Sequence, residues 1–248
     1  MEIIVEVCTG GYTDCMAAAR GGAQRVELNS ALSVGGLTPS TAVLKRVKRE
    51  TDLKVICMVR PRAAGFCYDE TEFSIMMDEA KELLDAGADG IAFGFLHEDA
   101  AIHLPYTKAM IKLIHQYGKE AVFHRAFDVV KDPVEAVEQL IECGVDRLLT
   151  SGQQAAAMEG AALIRTLQQR YGDHIEILAG SGVNEGNVKT LLEMTGICQV
   201  HSSCKAYQKD PTTKQHAVSY SYLPSPHEYD FDVVDEQRVK ALIHAISE

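Results

Sequence analysis

Gly87-Ala-Asp-Gly-Ile-Ala-Phe93 and Gly144-Val-Asp-Arg-Leu-Leu149 repeat the pattern that decides the fold. In each, a glycine able to stop a helix in the left-handed conformation precedes a short apolar run suited to a strand. The same pairing recurs at Gly22 before residues 24–28, Gly118 before 120–123, Gly172 before 175–179 and Gly196 before 198–200. Runs at Ile3–Cys8 and Lys54–Val59 complete eight expected strands, spaced by roughly thirty residues as βαβ units require.

The intervening segments read as helices. Asp69 with Glu72 forms a capping box, and Phe73, Met76, Met77, Ala80 and Leu84 then share one apolar face. Asp132, Pro133 and Glu135 start another helix, continued by Val134, Val137, Leu140 and Ile141, and Thr38-Pro39 starts a third. A doubly wound open sheet would alternate elements in the same way. Its Gly-x-Gly-x-x-Gly fingerprint is absent after the first strand, where Cys8-Thr-Gly-Gly11 stands. The expected fold is therefore an α/β (β/α)₈ barrel occupying residues 1–248 as one domain. Residues 204–235 show no clear period and carry Tyr207, Tyr220, Tyr222, Tyr229, His216, His227 and a Pro224-Ser-Pro226 turn. They are expected to form a long loop after strand eight, packed on the barrel mouth or a neighbouring subunit, which leaves a homo-oligomer open. Val233–Ile246 is expected to be the closing helix.

Composition narrows the function. The chain has 248 residues, 46% hydrophobic and 24% charged, which excludes disordered and collagen-like classes. Lys and Arg number 24 against 35 Asp and Glu, a net charge of −11, so a nucleic-acid partner is disfavoured. No run of ~18 apolar residues suggests a membrane partner, and the start Met-Glu-Ile-Ile-Val-Glu-Val lacks the basic region of a secretion signal. Seven scattered cysteines, an odd number without a Cys-x-x-Cys pair, are expected to be reduced thiols in the cytoplasm.

In a barrel of this kind chemistry belongs at the C-terminal strand ends, and here those ends turn polar. They read Glu6-Val-Cys8, Glu27-Leu-Asn29, Arg60-Pro-Arg62, His124-Arg-Ala-Phe-Asp128, Thr150-Ser-Gly152 and His201-Ser-Ser203. Arg60 and Arg62, spaced by two, are expected to project together and bind an anion through their guanidinium forks. Glu27 is the expected general base, with His124 as a proton shuttle oriented by Asp128. Gly180, Ser181 and Gly182, before Asn184 as cap of the next helix, join Ser202 and Ser203 as further expected anion ligands. The competing reading makes Glu6, Glu27, Arg25, Arg60 and Arg125 a structural ion network across the barrel floor. For a metal, His124, His201 and Glu27 offer a borderline set without short-range ligand spacing. Alternation turns Cys8 inward with Glu6, and turns Cys57 outward if Met58 and Arg60 face in.

The strings Arg25-Val-Glu-Leu28, Gly35-Gly-Leu-Thr-Pro-Ser40, Arg60-Pro-Arg62, Phe123-His-Arg-Ala-Phe-Asp128, Leu149-Thr-Ser-Gly152 and Val200-His-Ser-Ser203 resemble the CutC family, named for copper homeostasis, over nearly the whole chain. The resemblance implies a cytoplasmic (β/α)₈ barrel linked to copper, as Cu(I). The family's proposed ligands are cysteines ending the first two strands, which fall here on Cys8 and Asn29. Cys67 and Cys204 are the evident substitutes for the missing second thiolate. Two functions follow: copper binding through Cys8, or an enzyme acting at the mouth on a small anionic metabolite, phosphorylated ones included. The family name favours the first, whereas the Arg, His, Glu and Ser at the strand ends suit the second.

Overall fold

A computed structural model describes residues 3–247. Eight parallel strands close into a barrel in sequence order: β1 (Ile4–Thr9), β2 (Arg25–Leu28), β3 (Lys54–Met58), β4 (Gly90–Phe93), β5 (Glu120–Phe123), β6 (Arg147–Thr150), β7 (Glu176–Ala179) and β8 (Gln199–Ser202). β8 pairs with β1, which leaves the barrel sheet without an edge. Helices α1 (Tyr12–Arg20), α2 (Thr41–Glu50), α3 (Glu70–Asp85), α4 (Leu104–Gln116), α5 (Pro133–Cys143), α6 (Ala161–Tyr171) and α7 (Val188–Thr195) follow the first seven strands in turn, and α8 (Glu236–Ser247) closes the ring.

The glycine ladder has the expected backbone. Gly22, Gly87, Gly118, Gly144 and Gly196 all take positive φ, whereas Gly172 ends α6 in a right-handed conformation. The Asp69–Glu72 capping box opens α3, and Asp132 accepts from the backbone of Val134 and Glu135 to open α5. The third predicted start is displaced. Ser40 caps α2, while the Thr38 hydroxyl is drawn to the Glu79 carboxylate and the Arg60 carbonyl.

Inward and outward residues alternate along each strand. Outward Val7, Val26, Val55, Cys57 and Ile91 pack with Leu44, Met76, Met110 and Val137 of the helices. This outer layer is the main core, and Cys57 sits in it as alternation predicts. Inside, Ile56, Met58, Ala92 and Val122 form a small apolar plug on the β3–β5 side. The β8–β1–β2 side of the interior is polar.

The long loop expected after strand eight is instead a β-arm. β9 (Lys205–Lys209) pairs antiparallel with β12 (Asp230–Val234), and β10 (Lys214–Gln215) with β11 (Val218–Ser219) forms a smaller ladder between them. Val233 and Val234, expected to open the closing helix, belong to β12 instead, so α8 begins at Glu236. The arm is tied down at its base, where the Val234 amide donates to Asp14.

Candidate metal centre at the barrel mouth

Glu6 and Cys8 of β1 face inward beside Arg25 and Glu27 of β2 and His201 of β8. Register places Glu6 level with both Arg25 and His201, and Cys8 level with Glu27. A buried carboxylate needs compensation. Glu6 accepts from Arg25 Nε at 2.6 Å, lies 3.6 Å from Arg147, and meets His201 Nδ1 at 2.9 Å through its other oxygen. Burial raises its pKa, but Arg25, His201 and Arg147 outweigh burial and hold it at about 2. Below it, Arg147 also pairs with Glu120 and Glu176, and Gln199 bridges Arg25 to Glu176. A structural ion network therefore does cross the floor, built on Arg25 and Arg147. Arg60 and Arg125 stand outside it.

One layer higher, Cys8 Sγ, a Glu27 carboxylate oxygen and a His201 ring nitrogen all lie within 4.8 Å of one another. Cys8 Sγ is 3.8 Å and His201 Nε2 3.9 Å from Glu27 Oε2. Asn29 donates to the same oxygen at 2.9 Å and reaches Cys8 Sγ at 3.7 Å. Burial pushes the Cys8 thiol and the Glu27 carboxyl up. Burial alone would lower His201, but Cys8, Glu6 and Glu27 hold its pKa well above the ordinary value. The ring lies between the carboxyl groups of Glu6 and Glu27.

The cluster fits a metal on an observation independent of family. Glu27 Oε1 is buried and has no hydrogen-bond partner. Such an atom costs stability unless something coordinates it. Glu6, fixed on His201 Nδ1, turns Nε2 toward Glu27, which is the carboxylate–histidine arrangement that orients metal-ligating imidazoles. A soft thiolate, a borderline imidazole and a hard carboxylate make a mixed set, in which the thiolate and imidazole are donors that copper and zinc accept.

The cluster opens into a cleft of about 320 Å³ lined also by Arg60, Phe66, His124, Arg125, Ser181, Gly182, Ser203, Lys205 and Asp232. Here several sequence expectations fail. Arg62 does not join Arg60: its guanidinium is bound by Glu72 and the Cys67 carbonyl, because the chain turns at Pro61 instead of extending β3. Asp128 does not orient His124. It accepts from Arg125, Thr150 and the Ser151 and Gln153 amides, pinning the turn after β6. His124 Nδ1 instead accepts from the Ala126 amide, so it caps a 3₁₀ turn, and burial with the nearby Arg60 charge lowers its pKa to about 3.

The anticipated anion cradle is also largely spent internally. Ser202 Oγ donates to the Val183 carbonyl and Ser181 Oγ to the Ala155 carbonyl. Gly180 sits against Leu149 and His201 and does not line the cleft. Asn184 caps no helix, since α7 starts four residues later and its side chain closes a local turn with Gly186. Of that set Ser181, Gly182 and Ser203 remain on the cleft wall. Cys67 is exposed beside Arg62, and Cys204 is buried against Ser202, so neither supplies a second thiolate beside Cys8. The sequence reading missed Arg147, although a lone arginine inside the apolar strand Arg147–Thr150 carries the same signal that exposed Glu6.

Fold and cluster together define a (β/α)₈ barrel with a Cys–Glu–His cluster at its mouth, the Glu and His buried and the Cys half-buried. Residues 3–206 match the model of the CutC family, and the chain belongs to that family. It is 45% identical over 219 residues to a CutC family protein of Treponema denticola, covering 88% of each. It is 35% identical over 240 residues to a human copper homeostasis protein cutC homolog, covering 96% of this chain and 87% of the relative. A crystal structure described as copper homeostasis protein CutC from Streptococcus agalactiae superposes with a TM-score of 0.76 at 30% identity, covering 81% of this chain and 98% of that one.

Proposed function

We propose that this protein serves copper homeostasis by binding a copper ion through Cys8, Glu27 and His201 at the barrel mouth. The observation that carries the reading is the convergence of three donor atoms on one point, with Glu27 Oε1 buried and unpartnered there. The naming of the relatives supplies the metal. Copper here is cargo and not a reactant. The chain's own residues do the selecting: Cys8 provides the soft ligand, Glu6 holds His201 so that Nε2 faces the ion, and Asn29 fixes the Glu27 carboxylate. Seven free cysteines, with the acidic charge balance, favour a reducing cytoplasm.

Loading requires a thiolate and a neutral imidazole, whereas burial raises the pKa of Cys8 and contacts with Cys8, Glu6 and Glu27 raise that of His201, so both shifts favour the protonated forms. Copper uptake therefore releases protons, and affinity rises with pH. The test is Cu(I) titration against a competing chelator at pH 6 and pH 8, on wild type, Cys8→Ser and His201→Gln. One equivalent should bind wild type, more tightly at pH 8, and each variant should lose roughly tenfold or more. Equal affinity in all three proteins would remove the cluster from the copper site.

A further inference from the structure

Arg60 and His124 both line the cleft, outside the Cys8–Glu27–His201 cluster, and both are spent in unusual ways. Arg60 is 5% exposed and enters none of the ion pairs among the described residues. Its Nη atoms donate only to the backbone carbonyls of Val34, Gly36 and Ala64. A buried guanidinium without a counter-charge is costly. Its Nε has no hydrogen-bond partner among the described residues. His124 is 3% exposed and shows the same deficit: the Ala126 amide fills Nδ1, so the proton of the neutral ring sits on Nε2, which is buried and unpartnered. The ring is fixed by Phe66, at 4.9 Å between centroids, and by Gly94, where any side chain would collide with it at 2.5 Å.

We propose that Arg60 Nε–H and His124 Nε2–H form a binding site for the carboxylate of a small organic anion. Two unpartnered N–H donors on residues lining one cleft, with one positive charge lacking a counter-ion, suit a planar monoanion. The other cations of the cleft are already neutralised, Arg125 by Asp128 at 2.8 Å and Lys205 by Asp232 at 3.3 Å. A phosphate dianion asks for more donors and charge than this wall offers, and the serines that would have supplied them are occupied. His124 thus serves as a fixed hydrogen-bond donor. The site is independent of copper, and its test uses metal-free protein.

Pyruvate is the carboxylate probe and inorganic phosphate its competitor. Thermal shift and calorimetric titration on EDTA-treated wild type should show saturable pyruvate binding. Arg60→Lys, which keeps the charge but removes Nε–H, and His124→Phe should each weaken it roughly tenfold, the loss expected for one charge-assisted or buried donor. ¹⁵N-histidine spectra of wild type give a second readout that does not depend on how either variant folds. The His124 Nε2 resonance should move to saturation with pyruvate while Nδ1 keeps its acceptor-type shift. Pyruvate binding that leaves Nε2 unmoved, phosphate outcompeting pyruvate at these donors, or no binding by either anion would overturn the proposal.

Discussion

Replacing Glu6 with glutamine should expose how much of the barrel interior hangs on one carboxylate. Gln preserves shape but leaves Arg25 and Arg147, 3% and 2% exposed, facing each other without their shared anion. Two routes give the size of the effect. Glu6 is lowered from 4.5 to about 2, and at 1.36 kcal/mol per pKa unit this difference is worth about 3 kcal/mol. Breaking a buried pair by removing one partner costs about 3–5 kcal/mol, in agreement. For a chain of this size that is a fall in Tm of roughly 6–12 °C. The sign with pH follows from the direction of the shift. A depressed carboxylate stabilises fully above its unfolded pKa and stops doing so as pH falls through its folded one, so the gap between wild type and Glu6→Gln should close from about pH 4.5 down to pH 2. Thermal unfolding followed by circular dichroism at pH 7, 4 and 3 measures it. A variant melting within 2 °C of wild type at pH 7, or a gap that ignores pH, refutes the assignment of Glu6 as the anion that organises the floor.

Three further outcomes are expected. His124 resists protonation in the folded chain, with a pKa near 3 against an ordinary 6.5, so its contribution to stability should drain away below pH 6.5; His124→Phe should flatten that part of the acid limb of a stability–pH curve. Gly152→Ala should destabilise by more than 1 kcal/mol in denaturant titration, because φ is +69° and the new Cβ would meet the Gly160 carbonyl at 2.3 Å; an unchanged midpoint would contradict that. Limited proteolysis should cut the arm only near its tip, between residues 210 and 229, leaving β9 and β12 paired; early cleavage at Lys205 would show the arm to be unpacked.

The barrel was legible because its signals are local: a glycine stop, an apolar run and a helix cap each speak within a few residues. The arm was not, since β9 and β12 pair across twenty residues and Tyr207 or Asp232 carries no mark of its partner. The site divides the same way. Alternation alone turned Glu6 and Cys8 inward and Cys57 outward, and Glu27 and His201 stood out as polar residues ending apolar strands. What the sequence could not give is which polar groups meet. Arg60 and Arg62 are two apart, but a turn at Pro61 sends one into the cleft and the other to Glu72. His124 and Asp128 are four apart, but the 3₁₀ turn between them gives each a separate backbone partner. Asn29, where the family's second cysteine was expected, orients Glu27 as a hydrogen-bond donor to its carboxylate.

The most direct test of the copper account is X-ray absorption at the copper edge on protein loaded with one equivalent of Cu(I). The predicted first shell holds one sulfur, from Cys8, with nitrogen or oxygen neighbours and the outer-shell pattern of one imidazole. That pattern should vanish in His201→Gln and the sulfur in Cys8→Ser. A spectrum without sulfur, or one unchanged by either substitution, would place copper elsewhere on the chain and contradict the Cys8–Glu27–His201 site.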